Sequence, residues 1–161
     1  MVNYNRSYLF CILTVLLVVN LTRSFAQINF TEHTIAESYE RDYFAKSVYA
    51  ADINGDGHMD VLGTAPEDAG DIAWWENDGN KNFSRHTIAR DIGGANSVYA
   101  EDIDGDGDLD VLGATNGDND IAWWENDGEE NFSRHAIASD FDGATSVYAE
   151  DIDGDGDMDI L

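Results

Sequence analysis

Asp71–Asp78 reads DIAWWEND, and the same eight residues return at Asp120–Asp127. Successive residues of a strand point to opposite faces of its sheet, so Trp74 and Trp75, like Trp123 and Trp124, place one large ring on each side. Ile72-Ala73-Trp74-Trp75 is a continuous apolar run where a sheet with one wet face would alternate. Both faces of this strand therefore need cover.

The surrounding sequence says what could provide it. NFTEHTIA begins at Asn29, NFSRHTIA at Asn82 and NFSRHAIA at Asn131, and each is followed by SVYA (Ser47, Ser97, Ser146), an acidic stretch and an apolar DVLG or DIL. These define repeats 29–81, 82–130 and 131–161, the last partial, with a period of roughly 50 residues that points to a propeller or a solenoid. SVYAEDI, DVLGAT, DIAWWEND and NFSRHTIA have strand length, carry β-branched and aromatic residues, and are separated by Gly, Asn and Asp clusters. No window sustains a helical period, so the expected fold is all-β. Four-stranded blades around an axis cover both faces of one another. The reading is thus a β-propeller, about seven blades when whole, with two complete units and a partial third here. A β-solenoid is the alternative, although its coils are usually shorter.

The acidic stretches are DINGDGHMD (Asp52–Asp60), DIDGDGDLD (Asp102–Asp110) and DIDGDGDMD (Asp151–Asp159). Like charges at ~4 Å repel by roughly 1 kcal/mol per pair in water and by more when partly buried, so a cation is expected among them. In the second loop, side-chain oxygens fall at positions 1, 3, 5 and 9, the carbonyl of Asp108 is available at position 7, and Gly105 and Gly107 let the chain wrap around an ion. Hard oxygen ligands at alternating positions with glycine at position 6 suit Ca²⁺ better than Mg²⁺, which keeps its water. An EF-hand is excluded, because position 12 is Gly63 or Gly113 where a bidentate Glu belongs, and the flanks read as strands. A solvated Asp/Gly turn would account for one such loop; three at the same point of a repeat favour the metal.

With these loops and strands in view, the unit resembles the FG-GAP or VCBS-type repeat, related to the calcium-binding blades of the integrin α-subunit propeller, over Asn29–Leu161. The resemblance implies side-chain ligands Asp52, Asn54, Asp56 and Asp60 with the His58 carbonyl in the first loop. It implies Asp102, Asp104, Asp106 and Asp110 with the Asp108 carbonyl in the second, and Asp151, Asp153, Asp155 and Asp159 with the Asp157 carbonyl in the third. LGAT and NFSRH stand where the landmarks that name the family would be.

A net charge of −25 argues against nucleic acid, which needs a basic patch, and equally against an anionic membrane surface. Hydrophobic and aromatic content is too rich for disorder. At the N-terminus, Arg6, the apolar Leu9–Val19 and the small residues of Ser24–Ala26 are expected to form a signal peptide, residues 1–26, cleaved after Ala26, with an uncleaved N-terminal anchor as the alternative; the apolar run is too short for an ordinary transmembrane helix. Its removal takes away Cys11, the only cysteine, so disulfides cannot staple the exported chain and bound metal is the expected substitute. The mature chain is expected to be secreted or held at the cell surface, not spanning a membrane.

His33, His86 and His135 recur at one repeat position, which favours packing or surface over a transition-metal site. The Trp pairs could stack on sugar rings, but inter-blade core is preferred. The sequons at Asn29, Asn82 and Asn131 follow from the repeat itself. Catalysis needs unlike groups converging on one pocket, and this sequence offers copies, without G-x-S-x-G or H-E-x-x-H. The expectation is a non-enzymatic module that recognises an extracellular protein or polysaccharide. The alternative is the propeller part of a secreted carbohydrate-active or other hydrolytic enzyme.

Overall fold

The apolar runs between Gly, Asn and Asp clusters become short antiparallel strands. The computed structural model describes residues 45–65, 70–115 and 119–161, with the single positions Glu32 and Ile35; residues 1–26, on which the signal-peptide expectation rests, and Asn29 and His33 lie outside them. The first sheet contains β1 (Val48–Ala51), β2 (Asp60–Ala65), β3 (Asp71–Asn77) and β4 (Phe83–Ala89), in the order β1-β2-β3-β4. The second contains β5 (Ala95–Glu101), β6 (Asp110–Thr115), β7 (Asp120–Asn126) and β8 (Phe132–Ala138), in the order β5-β6-β7-β8. A further pair, β9 (Ala149–Glu150) with β10 (Asp159–Ile160), begins a third.

The described residues are thus all-β, without a helix, in sheets of four antiparallel strands. Equivalent strands of successive repeats lie in different sheets, whereas a parallel β-helix would pair them with one another. The sheets are offset by one strand from the repeats counted from Asn29: Phe83–Ala89, at the start of the second repeat, closes the first sheet. The short Asp78-Gly79 connection makes β4 pair with the strand just before it.

Register places like residues in rows. Tyr49, Leu62, Trp74 and His86 are cross-strand neighbours in the first sheet, and Tyr99, Leu112, Trp123 and His135 in the second. The adjacent row, on the opposite face, is Ala50, Val61, Trp75 and Arg85, matched by Ala100, Val111, Trp124 and Arg134. The Trp74 face of the first sheet packs on the Trp124 face of the second, in one core with Leu62, Ile72, Val98 and Val111. The other face of the second sheet repeats the arrangement: Leu112, Ala114 and Ile121 pack with Ala144, Val147 and Ala149 of the third unit.

Polar ties reinforce each step of the stack. Ser47 Oγ accepts a bond from Val98 N at 3.2 Å, and Ser97 Oγ accepts one from Val147 N at 3.3 Å. Beside them Tyr49, Tyr99 and Tyr148 form a ladder with ring centroids 4.8 and 4.6 Å apart. Gly113 matters because of space, not backbone angle: a Cβ there would stand 2.8 Å from the Trp124 ring and 2.9 Å from Ile72 Cδ1.

Candidate metal centre

Each acidic loop joins the first two strands of its sheet, Asp52–Met59 between β1 and β2 and Asp102–Leu109 between β5 and β6. The third, Asp151–Met158, joins β9 and β10. The loops close on themselves in the same way. Asp102 Oδ1 accepts from Gly105 N at 2.8 Å and Oδ2 from Gly107 N at 3.0 Å; Asp104 Oδ1 accepts from Asp106 N, and Asp106 Oδ1 from Asp108 N. In the first loop Asp52, Asn54 and Asp56 accept from Asp56, Gly57 and His58 N–H groups, and in the third Asp151, Asp153 and Asp155 accept from Gly154, Asp155, Gly156 and Asp157. This coil turns through positive φ at Gly105 (79°) and Gly107 (100°), where a side chain would be strained.

The coil gathers the acids. Carboxylate oxygens of Asp102, Asp104 and Asp106 lie within 4.8 Å of one another, as do those of Asp151, Asp153 and Asp159. The first loop has the same frame with an amide, Asn54, in the place of Asp104. The donors are all hard oxygens, which fit a hard divalent cation. At position 7 the side chains turn aside: His58 lies against Gly79 and Asp108 against Gly128, so only their carbonyls, and by analogy that of Asp157, are candidates.

Position 9 is gathered with the other acids in the third loop, at Asp159, but not in the second, where Asp110 stands outside the group. Asp60 and Asp110 are fully buried, at 0% exposure. Asp60 Oδ2 accepts from Ile53 N at 3.0 Å and Oδ1 from Asn77 N at 2.8 Å; Asp110 Oδ2 accepts from Ile103 N at 3.0 Å and Oδ1 from Asn126 N at 2.8 Å. Asp159, more exposed, keeps the first of these bonds, from Ile152 N at 3.1 Å. The carboxylate therefore clamps the loop shut onto β3 or β7. Burial pushes the Asp110 carboxyl up to about 6; the charges of Asp104 and Asp106 add to this, while the N–H groups of Asn126 and Ile103 oppose it. Asp60 is raised too, chiefly by burial, against the pull of the Asn77 and Ile53 N–H groups. A cation beside these groups would favour the ionised form.

Asn77 and Asn126 are the residues that sequence reasoning missed. Asn77 Nδ2 donates to Met59 O at 3.1 Å, and Asn126 Nδ2 donates to Leu109 O at 3.3 Å and to Ile53 O at 3.4 Å. The signal was the Asn before Asp-Gly in both copies of DIAWWEND, read there only as part of a strand-length run.

The other recurring residues have structural work. His86 stacks on Trp74 with centroids 4.6 Å apart and bonds to Glu76 at 2.9 Å; His135 does the same with Trp123 and Glu125. Trp74 and Trp124 are buried between the sheets, whereas Trp75 and Trp123 are partly covered. Among the described residues no helix is long and apolar enough to cross a membrane.

A family model described as an FG-GAP-like repeat matches residues 52–113 and 102–161. Each match opens on the first aspartate of one acidic loop and runs past the aspartate that closes the next. No curated protein and no solved structure matches the chain. The two matches overlap and together span the three acidic loops, the whole second sheet and all of the first but β1, and the chain belongs to the FG-GAP-like repeat family.

Proposed function

We propose that the chain is a calcium-stabilised segment of an exported β-propeller that recognises an extracellular protein or polysaccharide and catalyses no reaction on it. The observation that carries the calcium reading is the gathering of hard oxygens in one loop frame, repeated at Asp102, Asp104 and Asp106 and at Asp151, Asp153 and Asp159. The closing carboxylates Asp60 and Asp110 support it, because they are buried beside other acids and held by backbone N–H groups. When bound, the ion would supply the positive charge these loops lack. The chain's own part is to hold the oxygens in place: Gly105 and Gly107 turn the loop, and Asp110 ties it to β7.

The repeated step from one sheet to the next supports a ring of about seven blades. Serine ties and face-to-face packing recur at both steps of the stack, so further copies could add by the same geometry. Membership of the repeat family and the apolar N-terminal segment support export. Recognition without catalysis rests on the copies themselves, which offer repeated surfaces in place of one convergent set of unlike groups.

Calorimetric titration of the full-length protein with Ca²⁺ is the test. An ion at ~100 times its Kd adds about 2.7 kcal/mol per site, so chelation with EDTA is expected to lower Tm markedly. The first loop, with Asn54, is expected to empty first, and Asn54→Asp to tighten it. A Tm indifferent to EDTA and to added Ca²⁺ overturns the calcium reading, and an unchanged first-site affinity in Asn54→Asp overturns the ranking. Retention of a polysaccharide or cell-surface ligand without release of product is expected. Turnover abolished by one substitution that leaves the fold intact overturns the non-catalytic reading.

A further inference from the structure

The acidic loops of adjacent sheets are not independent of one another. Asn126, at the end of β7, is only 2% exposed, and each polar group of its side chain has a partner. One N–H of Nδ2 meets Leu109 O, at position 8 of the second loop, and the other meets Ile53 O, at position 2 of the first loop, 73 residues away in sequence. Oδ1 accepts from Gly128 N at 3.2 Å, which fixes which end of the amide carries the donors. The backbone N–H of the same residue donates to Asp110.

These bonds form one chain from loop to loop. Asp60 Oδ2 holds Ile53 N, Ile53 O is held by Asn126 Nδ2, Asn126 N holds Asp110 Oδ1, and Asp110 Oδ2 holds Ile103 N. Every link joins a buried or half-buried group, where a polar group left without its partner is destabilising. Asn77 stands at the matching position of the first sheet and bonds to Met59 O of its own loop.

We propose that Asn126 is a positioning residue that couples the ion sites of the first and second loops, so that filling either raises the affinity of the other. This rests on the calcium reading above. An ion in the second loop fixes Leu109 and Asp110, and through them the Asn126 amide. The amide then holds Ile53, whose N–H orients the Asp60 carboxylate. Part of the ordering that the first loop must undergo is already done, and linkage makes the effect reciprocal.

The test uses the isotopically labelled full-length chain titrated with Ca²⁺, with the amide signals of Gly57 and Gly107 reporting the first and second loops separately. In the parent, disabling the first loop by Asp52→Asn with Asp56→Asn is expected to weaken second-loop affinity at least about fivefold. In an Asn126→Ala background the same disabling is expected to change it by no more than the error. Asn77→Ala is expected to weaken its own loop and leave the coupling in place. If Asn126→Ala does not fold, the coupling is read in the first-loop-disabled protein: Ca²⁺ entering the second loop is expected to slow hydrogen exchange at the Ile53 amide. Two filled but independent sites in the parent overturn the coupling and spare the calcium reading, as does full coupling retained in Asn126→Ala. An unresponsive Ile53 amide has the same meaning. Absence of Ca²⁺ binding at both loops overturns both.

Discussion

The first and second sheets have nearly the same sequence and different surroundings. Val48 and Val98 occupy the same repeat position, yet Val48 is 71% exposed and Val98 only 4%, because the second sheet has the first packed against that face. The tryptophans invert in the same way. Trp74 is buried and Trp75 partly covered in the first sheet, whereas Trp124 is buried and Trp123 partly covered in the second. Burial here is a property of the step between sheets and not of the residue. Apolar area removed from water is the main driving force, so the energy of each copy depends on which neighbour it has.

The largest expected difference lies in the ring pair of the opposed faces. Trp124→Ala is expected to cost about 3–5 kcal/mol in urea unfolding of the full-length chain, and Trp75→Ala, at the matching position, clearly less. Equal losses would break the comparison. A Trp75→Ala loss that grows with protein concentration would sharpen it, by locating cover that a second copy supplies.

Added bulk should follow the same asymmetry. Gly113→Ala places a Cβ 2.8 Å from the Trp124 ring and 2.9 Å from Ile72 of the neighbouring sheet, and overpacking of this kind costs about 1–3 kcal/mol. At Gly63 the nearest atoms are in Trp75 at 3.3 Å and Ser47 O at 3.5 Å, so Gly63→Ala is expected to cost less in the same unfolding assay. A larger loss at Gly63 would contradict the packing described. Smaller again, Val98→Ala should cost about 1–2 kcal/mol, from the buried methyl groups, and Val48→Ala close to nothing in thermal unfolding.

The smallest effect should be the one that does not distinguish the sheets. The turns after β3 and β7 are exposed in both, and their aspartates are bound alike: Asp127 by the Asn131 side chain at 2.9 Å, and Asp78 by Asn82 at 2.6 Å. These bonds hold both carboxyls below the usual aspartate range, helped by the backbone N–H groups of Glu129 and Asn80 respectively. A lowered folded-state value contributes stability above the ordinary aspartate pKa, and that stability is lost as pH falls through the folded value. Asn131→Ala is expected to return Asp127 toward the ordinary value in an NMR titration, and Asn82→Ala to do the same for Asp78. A clear difference between the two would show that the stack reaches even the turns.

Much of the local structure was legible. Strand lengths, and the position of each acidic loop between two strand-length runs, follow from short-range pattern, since residue type and turn chemistry act over a few residues. The recurrence of His86 and His135 was read correctly as packing or surface, although their stacking on Trp74 and Trp123 needs cross-strand register that no single strand displays. Asp60 and Asp110 were legible as oxygens of the loop and not as its clamps. The tie that Asn126 makes between loops was not legible, because its second partner is Ile53 of the preceding loop, 73 residues away.

By itself the sequence determined that DIAWWEND is a strand with two apolar faces, that four such strands make a unit, and that three acidic loops recur in phase. These are properties of residue type and spacing. The tertiary structure alone decided which tryptophan of each pair is buried, which valine is wet, and which asparagine ties one loop to the next. Two copies of the same eight residues cannot differ in propensity. They differ only in what lies against them, and that is set when one sheet packs on another.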